Sequence, residues 1–296
     1  MKNRLLYHVD DFGRTNKINL SIHKTIRKGN TNSISVMVGQ SGDDGASKII
    51  KKLKNINIRL HINLTDGKSI TKDGNATNEN NFFKFSFVDL FFAPLKSNFK
   101  EKKETVEKEI LAQIKHFKLK YKVKVLKIDG HQHVHLIPWI LNLIIDISNK
   151  KYKVKEIRIV NESFFFTKLA DIFKKFYIIN FIKFSILKFL SLFAKSKLKR
   201  AEIPYNYKFM GVLYSGYMNI QSIEKYLKIL RRNNIRKPIE ILMHPNVSNI
   251  SESKEFLNES MHKYYLLKKR KEEFNLIVSE KLKKVCEPYE NFINSR

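Results

Sequence analysis

Two adjacent aspartates, Asp10 and Asp11, follow a short apolar run at residues 5–9. Like charges this close repel each other, so a nearby cation or a shared proton would relieve them. The two carboxylates can then take different roles, one as a base and one as a ligand. An Asp-Asp pair alone is most often a solvated loop or a helix cap. The pair therefore indicates chemistry only if other suitable side chains join it.

Three histidines, His131, His133 and His135, alternate along the segment 127–138. If that segment is extended, their side chains point to one side. Neutral imidazole is a common metal ligand, and alternating imidazoles on one side have few structural uses. The sequence therefore predicts a metal site at this segment.

Two further histidines accompany apolar runs. His61 stands within residues 58–64, where a lone histidine is more often a hydrogen-bonded core residue. His244 directly follows the run 239–243, which also contains Glu240. These groups and the aspartate pair would converge if the strands that carry them belong to one sheet that curls into a barrel.

The chain alternates short apolar runs with stretches of helical spacing, which is the βα rhythm of a mainly parallel sheet. The predicted strands are residues 5–9, 33–38, 58–64, 125–128, 157–160 and 239–243. The predicted helices are residues 16–28, 44–54, 101–120, 138–149 and 221–233. We predict an α/β fold in which the sheet curls into a distorted β/α barrel, with the site at the carboxyl ends of the strands.

Two regions interrupt this rhythm within what we predict to be one domain, residues 1–296. Residues 66–99 predict a long loop over the strand ends. Residues 164–200 are a basic, aromatic insertion without Gly or Pro and are predicted to be helical. Wound as a helix, the insertion places four polar residues on one narrow face: Asn180, Lys183, Ser191 and Lys195. It could bind a membrane surface, pack on the barrel or form a homodimer interface, and the sequence leaves these open.

The chain has a net charge of +29, from 57 Lys and Arg against 28 Asp and Glu, so an anionic partner has to be considered. No nucleic-acid-binding motif accompanies the charge, and we expect no nucleic acid as a partner.

The single cysteine, Cys286, excludes an intramolecular disulfide, and the apolar run near Met1 is too short for a signal peptide. We expect a cytoplasmic protein, at the inner face of the membrane if residues 164–200 bind lipid.

Several different short motifs follow one another in a specific order from one end of the chain to the other. They are residues 9–13 with Asn19 and Gly29, then 60–65, 109–113, 129–138, Arg158, 211–216 and 240–245. In this order and spacing the chain resembles the YdjC-like carbohydrate deacetylases of the ChbG and HpnK type. The resemblance implies a hydrolase that removes the acetyl group from an N-acetylated sugar, either a chitooligosaccharide or a lipid-linked glycan.

The resemblance also implies roles for individual residues. The implied metal ligands are Asp11, His61 and His131. The implied catalytic groups are Asp10 as the base, Arg158 as the residue that orients it, and His244 as a candidate acid. The remaining matches, at substrate-facing or supporting positions, are His133, His135 and Glu240. The chain departs from the family at His8-Val9, where Asn-Ala is usual, and at Arg14, where an apolar residue is usual.

Two imidazoles and one carboxylate leave a divalent ion open positions for water and for an acetyl oxygen, which is typical of hydrolytic metals. The ligand types favour Zn²⁺ and the resemblance implies Mg²⁺, so both stay open.

Two rival functions also stay open. One is a sugar-binding or polyanion-binding protein with a closed structural metal site, and the other is a phosphoester hydrolase with two metals about 3.5 to 4 Å apart.

Overall fold

A parallel sheet forms the centre of the computed structural model, which describes residues 5–247 and 268–294. Its strands are β1 (Leu6–Phe12), β2 (Ser33–Val36), β3 (Asn57–Ile62), β4 (Leu126–Gly130), β5 (Val154–Ile157), β6 (Lys208–Met210) and β7 (Ile239–Met243). All neighbours pair in parallel, in the order β5-β4-β3-β2-β1-β7-β6. The carboxyl ends of all these strands therefore lie at the same rim of the sheet.

The two edges of the sheet meet. Tyr205, shortly before β6, forms a parallel bridge with Ile157 of β5, and the Ile157 N–H donates to the Pro204 carbonyl at 2.9 Å. The Asn206 side chain continues the contact, since it binds both the N–H and the carbonyl of Ile159. The sheet is thus curled into a distorted β/α barrel, which confirms the predicted fold class.

Helices cover the outside of the sheet. In chain order they are α1 (Asn16–Lys28), α2 (Asp43–Ile50), α3 (Phe87–Phe91), α4 (Phe99–Tyr121), α5 (Pro138–Lys150), α6 (Lys175–Arg200), α7 (Ile220–Arg232), α8 (Lys268–Ile277) and α9 (Glu280–Asn294). Each helix predicted from apolar spacing is present, with its ends within a few residues. Helix α1 shows why, since the Thr15 side chain caps it by accepting the N–H of Ile18, and Gly29 ends it.

The observed strands differ from the predicted strands in two places. The strand predicted at 157–160 lies at Val154–Ile157, and the short strand β6 was not predicted at all. Three residues are too few to show an alternating pattern, so β6 is defined by its pairing with β7 and not by its own sequence.

The four polar residues predicted to share one face of α6 are not all exposed to solvent. Asn180 is buried and donates to two carbonyls in the loop after β6, at 3.0 and 3.3 Å. Ser191 is buried and accepts a backbone N–H after β5 at 2.9 Å. Only Lys183 and Lys195 of that set are exposed. Buried backbone groups need partners, and these two small polar side chains supply them.

Candidate metal and catalytic site

The carboxylates of Asp10 and Asp11 both line one pocket, although neighbours in a strand normally point to opposite faces. The pairing of β1 with β2 shifts register between Val9 and Phe12, and Asp11 has a left-handed φ of 67°. This bulge turns the chain, so two consecutive side chains reach the same space.

The turn that follows is fixed by residues of the same sequence motif. Gly13 has a φ of 98°, and a Cβ there would lie 2.5 Å from the Met37 carbonyl oxygen. The Gly13 N–H donates to Oδ1 of Asn19 at 2.6 Å, while Nδ2 of Asn19 donates to the Gly42 carbonyl at 2.7 Å. A glycine and an asparagine at this spacing therefore hold the aspartate pair in place.

Asp11, His61 and His131 bring one carboxylate oxygen and two imidazole nitrogens within 4.8 Å of one another. Asp11 Oδ1 lies 3.4 Å from His61 Nε2 and 3.1 Å from His131 Nδ1. The three side chains are buried and come from the ends of β1, β3 and β4. The curled sheet thus assembles the three residues that the sequence predicts as metal ligands.

The chemistry of this group fits a divalent cation. Asp129 Oδ1 lies 2.7 Å from His61 Nδ1 and so leaves Nε2 facing Asp11. His131 Nε2 is buried and has no hydrogen-bond partner in the described part of the chain. Burial alone would lower the pKa of His61, but the surrounding carboxylates, Asp10 first, raise it to about 10. A bound cation would neutralise this excess of negative charge.

Asp10 is held by a buried guanidinium. Arg158 donates from Nη1 to Asp10 Oδ2 and from Nη2 to Oδ1, both at 3.0 Å. His8 Nε2 lies 3.0 Å from Oδ1. Burial alone would raise the pKa of Asp10, but Arg158, then His61 and His8, hold it well below its usual range. Asp10 is therefore ionised at neutral pH, as a general base must be.

Glu240 does not line the pocket, and it contacts Arg158, the residue that holds Asp10. Its Oε1 lies 2.6 Å from Arg158 Nε, and its other oxygen binds the guanidinium of Arg59. His8 Nδ1 is 2.7 Å from the Ser33 hydroxyl and Nε2 is 2.8 Å from that of Ser35. Glu240 thus supports Arg158, and His8 joins Asp10 to the floor of the barrel.

A second group that could in principle hold a metal is formed by His8, Asp10 and Asp129, whose ligand atoms also lie within 4.8 Å of one another. The guanidinium of Arg158 already contacts both of its carboxylates, since Nη2 lies 2.8 Å from Asp129 Oδ2 and 3.0 Å from Asp10 Oδ1. A fixed cation therefore neutralises this second group.

His244 directly follows β7 and lies near Asp10. Its Nε2 lies 4.0 Å from Asp10 Oδ2, and 17% of its side chain is exposed to the pocket. Its backbone N–H donates to Glu273 Oε2 at 2.6 Å, which fixes the segment. Burial lowers the pKa of His244, and the charge of Arg270 lowers it further.

His131, His133 and His135 do not alternate along a strand, so that prediction is wrong. Strand β4 ends at Gly130, and the chain continues as a 3₁₀ turn, His131–Leu136. Within the turn Gln132 and His133 have left-handed φ angles of 51° and 60°. The spacing of histidines does not by itself distinguish an extended segment from such a turn.

The turn separates the roles of the last two histidines. His135 is fully buried, and its Nε2 lies 2.9 Å from the carbonyl oxygen of Arg158, so it supports the segment that carries the guanidinium. His133 lines the pocket, and its Nδ1 is buried without a hydrogen-bond partner in the described residues. Burial, and then the charge of His135, hold the pKa of His133 well below its usual range, so its ring is neutral.

The pocket above these groups has a volume of about 450 Å³, which is within the range of small-ligand sites. Its walls include residues that the sequence did not predict there: Phe87 of α3 and Lys183, Ile186 and Leu187 of α6. The region 66–99 therefore contains a helix at the pocket, and the insertion supplies part of the wall.

Two buried carboxylates outside the predicted set also shape the site. Asp129 binds His61, and its position two residues before His131 at a strand end is a signal that could have found it. Glu162 accepts the N–H of Gly211 at 3.2 Å and of Val212 at 2.9 Å, and both of these residues line the pocket. Nothing in the sequence around Glu162 indicates this contact.

The fold and the site define a parallel α/β barrel with a buried His-His-Asp group beside an arginine-held aspartate. The model of the YdjC-like protein family matches residues 4–288. The chain therefore belongs to the YdjC-like family, which confirms the resemblance seen in its motifs.

Individual relatives match part of the chain. A carbohydrate deacetylase of Vibrio cholerae serotype O1 (strain M66-2) is 30% identical over 155 residues, which are 51% of this chain and 57% of that protein. One from Brevibacillus brevis is 28% identical, with the same two shares. The match thus spans a little over half the length of these relatives.

The fold resembles the crystal structure of an Enterococcus faecalis V583 protein described as a cellobiose-phosphate cleavage protein, with a TM-score of 0.65. The two sequences are 18% identical, and the superposition covers 98% of this chain and 96% of that chain.

Proposed function

We propose that this protein is a metal-dependent hydrolase that removes the acetyl group from an N-acetylated sugar. The observation that carries the proposal is the position of Asp10, which is clamped by Arg158, lies 4.0 Å from His244 and lines the same pocket as the group formed by Asp11, His61 and His131. Membership of the YdjC-like family and the partial likeness to carbohydrate deacetylases support it.

Each residue then has a definite task. Asp11, His61 and His131 would hold a divalent ion, which would supply the Lewis acidity that activates a water and stabilises charge on the acetyl oxygen. Asp10 takes the proton of the attacking water, and Arg158 keeps this carboxylate ionised and oriented. His244, whose Nε2 lies 4.0 Å from Asp10 Oδ2, protonates the departing amine.

The pocket suits a sugar. Its apolar walls, which include Phe87, Ile186 and Leu187, can pack against the faces of sugar rings. The neutral ring of His133 offers Nδ1, buried and unpaired in the described residues, to a substrate hydroxyl or amide. We propose either a chitooligosaccharide or a lipid-linked glycan as the substrate.

We place the protein in the reducing cytoplasm. Its single cysteine, Cys286, is a buried free thiol, as expected of a protein from that compartment.

We propose that the site binds one metal ion and not two. A phosphoester hydrolase of the two-metal type would need a second ion about 3.5 to 4 Å from the first. The group that could hold it, His8 with Asp10 and Asp129, already contacts the guanidinium of Arg158. The ligand set of two imidazoles and one carboxylate admits either Zn²⁺ or Mg²⁺.

The test is release of acetate by the chelated protein after divalent metals are restored singly. The substrates are N-acetylglucosamine oligomers of increasing length and an N-acetylated sugar on a lipid carrier. We expect acetate from at least one of them, with a dependence on one metal. Release of phosphate from sugar phosphates, with none of acetate from any acetylated substrate, would overturn the proposal in favour of a phosphoester hydrolase.

A further inference from the structure

Helix α6 carries an unusually apolar exposed surface, which we call the α6 face. Together with Phe173 just before it, the helix exposes nine large apolar side chains: Phe173, Ile178, Ile179, Phe181, Ile182, Ile186, Phe189, Leu192 and Phe193. Phe189 is 70% exposed, Leu192 59% and Ile182 56%. Exposed apolar surface concentrated in this way marks an interaction site.

The α6 face belongs to a helix that is fixed to the barrel. Its opposite side is buried, with Phe184, Leu187 and Leu198 in the core and Asn180 bound to loop carbonyls. In length and composition α6 could cross a membrane, but a third of its most apolar stretch is buried in the protein. A helix held along one side by its own domain can lie on a membrane surface, whereas spanning would break those contacts.

The charge around the α6 face selects an anionic occupant. Residues 172–201 contain no Asp or Glu, and their cationic residues are Lys174, Lys175, Lys183, Lys188, Lys195, Lys197, Lys199 and Arg200. A second copy of the chain would bring the same cations face to face. Anionic lipid headgroups would instead complement them, while the apolar side chains enter the layer beneath.

The α6 face also reaches the mouth of the catalytic pocket. Lys183 and Ile186 are exposed and line the pocket at the same time. Phe87 of α3 also lines the pocket, and it is followed by the exposed Val88 and by Phe92 just beyond the helix. A surface that covers the α6 face would therefore lie next to the entrance of the pocket.

We propose that the α6 face docks on an anionic lipid bilayer and brings the pocket to the membrane surface. Of the substrates considered above, the acetylated sugar carried on a lipid is the one that this arrangement serves, and this part rests on the proposed function. The docking itself rests only on the exposed apolar side chains, the excess of cationic residues over residues 172–201, which contain no Asp or Glu, and the shared pocket mouth.

The experiment is co-sedimentation of the whole protein with phosphatidylcholine vesicles, with and without phosphatidylglycerol, at low and high salt. The test variant is Ile182→Ser with Phe189→Ser and Leu192→Ser, three exposed positions outside the pocket lining. The matched control is Leu20→Ser with Leu119→Ser and Val125→Ser, which removes three exposed apolar side chains elsewhere. Thermal unfolding shows that each variant is folded.

We expect wild type and the control to pellet with the anionic vesicles at low salt and less at high salt. The test variant should bind at least about tenfold more weakly. Wild type that stays in the supernatant with anionic vesicles at low salt, or a folded test variant that pellets like wild type, would overturn the proposal. A lipid-free dimer that the test variant abolishes would also overturn it and identify the α6 face as an interface between two copies.

The binding readout is independent of catalysis. Acetate release from a soluble N-acetylglucosamine oligomer should be equal in wild type and in the test variant, because none of the three positions lines the pocket. Vesicle binding without acetate release from any substrate would refute the proposed function and leave the docking intact. Acetate release without vesicle binding would refute the docking alone.

Discussion

Asp129 Oδ1 lies 2.7 Å from Nδ1 of His61, and this contact decides which imidazole nitrogen faces Asp11. A carboxylate behind a histidine fixes the tautomer and increases the basicity of the nitrogen on the other side of the ring. Asp129 also contacts Arg158 at 2.8 Å, so the same side chain connects the two halves of the site. It lies next to the predicted ligands without being one of them.

Asp129→Asn should weaken metal binding by about tenfold or more, because the neutral amide no longer favours the tautomer with Nε2 free. Isothermal titration with Zn²⁺ and with Mg²⁺ measures the affinity. Asp146→Asn, at an exposed position of α5, is the matched control and should bind as wild type does. An unchanged affinity in a folded Asp129→Asn protein would show that His61 does not depend on this carboxylate.

His244→Ala should slow hydrolysis of the amide much more than hydrolysis of an activated acetyl ester. A poor amine leaving group needs a proton in the transition state, whereas a good phenolate leaving group hardly does. The difference for a positioned general acid is typically on the order of 10²-fold or more. Steady-state rates with both substrates give the comparison, and an equal loss on both would assign His244 another task.

Acid stability should depend on Asp43, which lies at the start of α2 away from the pocket. Its Oδ2 lies 2.6 Å from His116 Nε2 and 2.7 Å from Lys120 Nζ. Burial alone would raise the pKa of Asp43, but the hydrogen bonds from His116, Lys120 and Tyr121 lower it to about 2. A carboxyl whose pKa is lowered on folding stabilises the fold above its ordinary pKa, and this contribution disappears as pH falls to the folded value.

Asp43→Asn should therefore lower the free energy of unfolding by roughly 1–2 kcal/mol above about pH 4, and the difference from wild type should shrink toward about pH 2. Urea unfolding at a series of pH values gives this difference directly. The other buried carboxylates titrate in both proteins, so their effect cancels in the difference between the two free energies of unfolding. A gap between the two proteins that is constant over this range would contradict the role given to Asp43.

The parallel βα order could be predicted because apolar runs and helical spacing are local properties of the sequence. The three predicted ligands come together because each follows or ends a strand of one curled sheet. What the sequence did not reveal depends on contacts between distant segments. Lys183 and Ile186 line the pocket only because α6 packs beside it, and Glu162 acts only through the backbone of residues 211–213.

The orientations of His131, His133 and His135 also depend on tertiary structure. Alternation predicts one face only while the backbone stays extended, and the chain leaves that conformation immediately after Gly130. The left-handed φ angle of Gln132 is not indicated by its residue type, because residues other than glycine rarely adopt it. The tertiary position of the turn, over the pocket, decides where each ring points.

We propose that one divalent ion, bound by Asp11, His61 and His131, acts together with Asp10 as the base. The most direct measurement is acetate release by chelated protein as one metal is titrated back, with bound metal counted at each step. Wild type should regain full release at one ion per chain, Asp11→Asn should lose bound metal and release together, and Asp10→Asn should bind one ion without releasing acetate. Full release by Asp10→Asn, or bound metal unchanged in Asp11→Asn, would contradict the account.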